Sequence, residues 1–127
     1  MDWTKYIGIP FSWHGRDWTG VDCYGILCLV FDVARGIILP DYGYLDAPNL
    51  TPLFSAGLHE SCWRRVDKPT TFDAVLFSIN GQPLHCGVMV DDTRFLHARA
   101  GVNSCIQRVD GMAWRNRILG FYRYVQP

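Results

Sequence analysis

The sequence has no surplus charge of either sign. Twelve basic and twelve acidic residues cancel over 127 positions. That balance argues against nucleic acid as the main partner, because a phosphate-binding surface needs a basic excess. Long hydrophobic runs are missing too. Nothing approaches the ~18 apolar residues that read as a membrane span. The start, Met1-Asp2-Trp3-Thr4-Lys5, is not a basic segment leading into an apolar one, so no signal peptide is expected. Internal repeats, low-complexity tracts and linkers are also lacking, and residues 1–127 read as one domain. Apolar types at 49% against 19% charged mark a globular chain rather than a disordered one. Finally, the cysteines do not make an even set. Five cannot all pair within one chain. In a chain read as unexported they are expected to be reduced, and one of them is a candidate reactive thiol.

What is present is organised in three stretches. Residues 1–21 are rich in Gly, Pro and aromatics and read as irregular. From Asp22 to Gly36 the punctuation is that of a helix. Asp22 suits the N-cap, Arg35 the last turn and Gly36 the C′ position. Residues 26–31 are apolar on all sides, which predicts a buried helix. Residues 37–69 hold four of the seven prolines (Pro40, Pro48, Pro52, Pro69) and read as a long loop. A short helix capped by Thr51, from Pro52 to about His59, is the one element expected inside it. From Phe72 the period becomes that of strands, at 74–79, 85–90, 95–99, 105–109 and 119–125, with turn residues between. One buried helix followed by an antiparallel meander of about five strands gives an α+β fold.

Cys23 stands first among the candidate functional residues. It follows a cap, in the first turn of a helix, where unpaired N–H groups and the helix dipole favour a thiolate. The same N–H groups suit a developing oxyanion. The alternative is a small buried residue, as most free cysteines are.

His85 and His97 fall on neighbouring strands in a chain with only four histidines. A two-residue turn at Asp92-Thr93 would put them on opposite faces. A three-residue turn at 91–93 pairs Gly87 with His97 and leaves His85 a diagonal neighbour on the same face. The odd turn is the expectation, with Gly87 leaving room between the rings. A thiol needs a base and the base needs an orienting partner, so His85 is read as base and His97 as orienter.

Zinc would use Cys23, His85, Cys86 and His97, but no C-x₂-C or H-x₃₋₅-H spacing is present. Adjacent His85 and Cys86 also point to opposite faces of a strand. Neither a metal nor a cofactor is therefore expected. Cys28 lies ~140° around the helix from Cys23 and does not share its face. Cys86 is expected in the core beside Val88 and Val90. Cys62 and Cys105 have no evident partner, and His14 and His59 are weak candidates.

These residues, in this order, resemble the NlpC/P60 family of papain-like cysteine peptidases. The matching segments are Gly8-Ile9-Pro10-Phe11-Ser12-Trp13-His14-Gly15, Asp22-Cys23-Tyr24-Gly25-Ile26, Leu84-His85-Cys86-Gly87-Val88-Met89-Val90 and Phe95-Leu96-His97-Ala98. Phe72-Asp73-Ala74-Val75-Leu76-Phe77 looks like the family's G-D-L-V-x-F strand, with Phe72 where Gly is usual. The resemblance runs from about residue 5 to residue 125. It is strongest to a branch found in long-tailed phages and gene transfer agents, through Tyr24 and the ending Trp114-Arg115-Asn116-Arg117-Ile118-Leu119-Gly120-Phe121-Tyr122-Arg123.

The resemblance implies a papain-like fold and hydrolysis of an amide next to γ-D-glutamyl in peptidoglycan stem peptides. By motif position Cys23 is the nucleophile, His85 the base and His97 the orienting residue. Many members carry a tyrosine twelve residues before the cysteine, thought to assist the oxyanion. Here that residue is Phe11, which has no donor. Tyr24 and His14 are candidate substitutes, and Trp13 joins Phe11 as a cleft candidate. The implied setting is the tail of a phage-like particle acting in the host envelope, with other tail-tip proteins as partners. A structural tail-tip component, with Trp3, Tyr6, Trp13 and Trp18 as contact residues, is the second reading. A papain-like amidase or acyltransferase on another amide is the third. Loop 37–69 is expected to shape the cleft, through Asp41, Asp46, Glu60, Arg64 and Arg65.

Overall fold

The computed structural model describes residues 1–40 and 62–125. The chain opens with a 3-10 turn at Thr4–Tyr6 and a two-stranded ribbon, β1 (Arg16–Asp17) and β2 (Gly20–Val21). The opening segment is tied to the far end of the sequence. The Ser104 hydroxyl donates to the Tyr6 carbonyl at 2.6 Å and accepts from the Ile9 amide at 2.8 Å. The Gly8 amide donates to the Ser104 carbonyl at 2.8 Å. Irregular backbone is thus satisfied by a strand rather than by water.

Helix α1 (Cys23–Arg35) forms where its punctuation predicts. The Asp22 carboxylate accepts from the Gly25 amide at 2.7 Å, satisfying one of the free N–H groups of the first turn. At the other end Gly36 is left-handed at φ 65°, and the Ile37 amide returns to the Phe31 carbonyl at 3.0 Å. That closure satisfies the last carbonyls, and glycine adopts it without a Cβ penalty. Ile26, Leu27, Leu29, Val30 and Phe31 are all buried, as an all-round apolar helix requires.

Six strands make the main sheet: β3 (Trp63–Val66), β4 (Ala74–Ile79), β5 (Gln82–Met89), β6 (Arg94–Arg99), β7 (Val102–Arg108) and β8 (Ile118–Tyr124). Their order is β3-β8-β4-β5-β6-β7, antiparallel throughout. The α+β expectation holds, with two differences. Among the described residues the main sheet has six strands, because Trp63–Val66 pairs with β8 inside what reads as loop. The meander is also broken, since β8 inserts between β3 and β4. A four-residue strand with two arginines has no periodicity of its own; its partner, nearly 60 positions later, defines it. β5 also starts earlier than expected. Asn80 (φ 51°) and Gly81 (φ 78°) make a two-residue hairpin turn that pairs Ile79 with Gln82. The helix expected from Pro52 to His59, together with Asp41, Asp46, His59 and Glu60, lies outside the described residues.

The sheet is covered on both faces. Helix α1 packs on one, with Cys86, Val88, Leu96 and Ala98 beneath it. On the other, Val75, Phe77, Met89 and Phe95 gather around Trp114, from the turn between β7 and β8. Each fully buried large apolar side chain contributes roughly 1.5–3 kcal/mol.

Candidate functional site

Cys23 begins α1, and its surroundings are set by Asp22. Beyond capping Gly25, Asp22 accepts from the His14 amide at 2.9 Å and pairs with the Arg16 guanidinium at 2.8 Å. Gly25 makes this possible. A Cβ there would overlap the Gly15 carbonyl, so glycine lets the loop lie against the helix start. The D-C-x-G spacing is therefore a packing requirement as well as a signature. The amides of Cys23 and Tyr24 precede the first intrahelical bond, which Ile26 makes to the Asp22 carbonyl. The Cys23 amide is therefore positioned to receive an oxyanion.

The β5–β6 register is the one the odd turn predicts. Val88 pairs with Leu96 and Met89 with Phe95, and one further step puts Gly87 beside His97. A Cβ at Gly87 would press within 2.9 Å of the Leu96 carbonyl and 3.3 Å of the His97 Cβ. His85 and His97 share a face and meet, Nε2 to Nδ1, at 2.8 Å. His85 and Cys86 take opposite faces of β5, Cys86 among the helix-side core residues and His85 against Phe77 and Trp114.

His85 and Cys86 both reach the Cys23 thiol. The hydrogen bond from Cys86, then the bond to His85 and its charge, hold Cys23 well below the usual thiol range, against burial and the Asp22 carboxylate. The same contact, with burial second, pushes the Cys86 thiol well above that range. The contact therefore favours the thiolate on Cys23 and the thiol on Cys86, whose Sγ lies 3.4 Å from the Cys23 carbonyl. His97 is driven the other way. Burial chiefly, then the charges of His85 and Arg99, lower it to about 3, while its hydrogen bond to Gln107 opposes them. His97 is therefore neutral at any pH near 7.

Two residues missed by sequence reasoning complete the arrangement. Gln107 Oε1 lies 2.6 Å from His97 Nε2, and the Trp114 indole donates to the same oxygen at 3.0 Å. Trp114 also stacks on His85 at 5.3 Å and meets His97 edge-on at 5.0 Å. Cys105 lies opposite His97, its Sγ 3.8 Å from Nε2. A cavity of about 280 Å³ opens over Cys23 and His85, walled by Phe11, Trp13, Leu84 and Trp114, with Arg99 at its rim.

Phe11 and Trp13 are thus cleft residues, in edge-to-face contact at 4.9 Å. Tyr24 and His14, the candidate oxyanion donors, are not among the residues lining the cavity. The Tyr24 hydroxyl donates to the Pro40 carbonyl at 2.6 Å. His14, at φ 64°, exposes its ring, and only its amide takes part, through Asp22. Arg64 and Arg65 sit on β3, three strand spacings or about 14 Å from β5, so they do not shape this cavity. Of the four aromatics read as contact residues, Tyr6 is fully buried and Trp3 packs on the core, while Trp13 and Trp18 are exposed.

Comparison with known proteins agrees with this geometry. A family model described as "NlpC/P60 family" matches residues 8–123. LytE of Bacillus subtilis (strain 168), described as a probable peptidoglycan endopeptidase, is 25% identical over 120 residues. That alignment takes in 93% of this chain but 31% of LytE, so the chain spans about a third of its relative. An NlpC/P60 family protein from Bacillus cereus ATCC 10987 superposes with a TM-score of 0.71 at 21% identity, over 95% of this chain and 37% of that one. The NlpC/P60 domain of the peptidoglycan hydrolase SagA gives 0.66 at 20% identity, over 94% and 91%. With the Cys23 helix start, the paired histidines and the sheet order all in place, the chain belongs to the NlpC/P60 family.

Proposed function

We propose that this protein is a cysteine endopeptidase acting on peptidoglycan stem peptides, cleaving an amide next to γ-D-glutamyl. The observation that carries the reading is the placement of Cys23 and His85 at one cavity, with His97 bonded behind His85 and the thiol held toward its ionised form. The thiolate of Cys23 attacks the substrate carbonyl, and the helix-start amide receives the negative oxygen. Protonated His85 gives its proton to the leaving amine as the C–N bond breaks. Water, deprotonated by His85, then attacks the thioester, releasing the acid and restoring Cys23. LytE and SagA, both described as acting on peptidoglycan, support the substrate class. A phage-like tail as the setting, with tail-tip partners, is supported by the likeness of Tyr24 and the Trp114–Arg123 ending to that branch.

The test is digestion of purified sacculi, with released peptides identified by mass spectrometry. Peptides with a new amino terminus at the diamino acid, released by the wild type and not by Cys23→Ala while the γ-D-glutamyl stub stays on the glycan, are the expected result. Full release by Cys23→Ala would overturn the mechanism. Intact sacculi with the wild type would overturn the substrate and favour a structural role or another amide.

A further inference from the structure

The polar residues behind His97 form a chain whose polarity has only one solution. An indole N–H can donate and cannot accept. The atom 3.0 Å from Trp114 Nε1 is therefore the carbonyl oxygen of Gln107, and the amide of Gln107 is held in that orientation. The same oxygen lies 2.6 Å from His97 Nε2. An oxygen accepts, so that nitrogen carries a proton. His97 is neutral, with one ring proton, so its Nδ1 is a bare lone pair. His85 Nε2, 2.8 Å away, must donate to it. A neutral His85 then has its lone pair on Nδ1, the one ring nitrogen left to meet Cys23.

We propose that Gln107, locked by the Trp114 indole, is a positioning residue that fixes the tautomers of both histidines and keeps the basic lone pair of His85 on Nδ1. The chain orients and does not shuttle. When Nδ1 takes the thiol proton, every hydrogen bond behind it keeps its direction, and the indole at the far end releases nothing. Reversing the chain would set the Gln107 NH₂ against the indole N–H, donor against donor. Gln107 is itself exposed, so without its amide His97 Nε2 would face water and the Cys105 thiol, 3.8 Å away and itself a weak donor. Those partners accept either His97 tautomer, so the opposite one is admitted, and with it the wrong one at His85. Trp114 is placed for this task by packing: it is 2% exposed, stacked on His85, with Arg99 and Arg117 over its ring at 5.6 and 5.8 Å.

The inference rests on Cys23 and His85 as the reacting pair, but its test does not need the peptidoglycan substrate. Long-range ¹H–¹⁵N correlation on protein labelled at histidine reads each tautomer directly. Nε2–H is expected at both His85 and His97 in the wild type, and an Nδ1–H population in Gln107→Leu. Gln107→Glu, which keeps an acceptor toward both donors, restores Nε2–H. Trp114→Phe, which frees the amide to turn, shows the mixed state even if Gln107→Leu fails to fold.

Iodoacetamide alkylation of Cys23 at pH 7, followed at its own peptide, should slow by about tenfold in Gln107→Leu and recover most of that in Gln107→Glu, as expected for loss of a correctly oriented base. On sacculi the loss should fall on kcat and leave KM within about twofold. Nε2–H retained at both rings in Gln107→Leu or Trp114→Phe would overturn the proposal. Inactivity of the wild type on sacculi would overturn the substrate reading instead, leaving the tautomers and the alkylation rates to decide this one.

Discussion

The two ends of helix α1 are both built around buried polar groups, and they are built differently. They lie about 20 Å apart, the length of a thirteen-residue helix. At the far end, Asp73 is 2% exposed, and its charge is answered at once. Arg123 donates to both carboxylate oxygens, at 3.0 and 2.8 Å, and the Thr70 amide adds a third bond at 2.8 Å. At the near end, His97 is 1% exposed and, among the described residues, none of its hydrogen-bond partners carries an opposite charge. Its partners are another histidine, an amide and, further off, a thiol. A buried charge with a fork of donors holds strands together and does nothing else. Buried titratable groups without a counter-charge have their protonation set by burial and hydrogen-bond direction, which is what acid–base chemistry needs.

Loss of the thiol separates the two ends most sharply. Cys23→Ala should remove hydrolysis of sacculi by roughly 10⁴-fold or more while leaving the thermal midpoint within a few degrees, because the cap and helix remain. Circular dichroism and the digest together check it. A variant that melts much earlier would mean the near end is structural as well.

Acid should separate them next. His97 has its folded-state pKa at about 3 against an ordinary 6.5. The unfolded chain therefore binds a proton that the folded one refuses across that window. Stability is fully present above 6.5 and falls as pH drops toward 3, by about 1.4 kcal/mol per pH unit. Unfolding free energies from urea titrations at pH 7 and pH 5 should differ by about 2 kcal/mol in the wild type. His97→Gln should flatten that dependence. An unchanged slope in the variant would place the acid sensitivity elsewhere.

At the far end, Asp73→Ala should cost about 1–2 kcal/mol of stability and leave kcat/KM of the folded fraction as it was. That lies below the ~3–5 kcal/mol of a fully buried pair, because Arg123 is 36% exposed and its charge is screened. A fall in kcat/KM larger than about threefold would show that the two ends communicate.

The near end was far more legible in the sequence than its supporting network. Cys23, its cap and the shared face of His85 and His97 follow from local rules: a helix start, a turn length and strand parity. Gln107 does not. The turn pairs Arg99 with Val102, and continued evenly that register would set His97 opposite Ser104. A bulge between His97 and Arg99 shifts it by one, so that Cys105 and Gln107 face the histidines instead. Nothing local announces that bulge. The Cys86 thiol was missed for a related reason. Strand parity put it in the core correctly but could not say that the first turn of α1 packs on top of it. β3 was missed because its partner lies nearly 60 residues away.

Phe72 offers the smallest effect and the finest comparison. It stands where glycine is usual in the family, and the backbone shows why glycine suits the place: φ is 75°. Left-handed backbone costs a residue with a Cβ roughly 1–2 kcal/mol. The phenyl ring offsets part of that, packing on Trp3 at 5.5 Å and Phe31 at 6.3 Å, with Arg35 over it at 5.4 Å. Phe72→Ala keeps the strained backbone and loses the ring, so it should cost about 1–2 kcal/mol. Phe72→Gly loses the ring and the strain together, so it should fall within about 1 kcal/mol of the wild type. The order of the two, glycine above alanine in urea midpoint, is the readout. The reverse order would mean that the Asp73 clamp next door holds the turn without strain. Either way activity should not move, because strain at this end sits a helix length from the thiol that reacts.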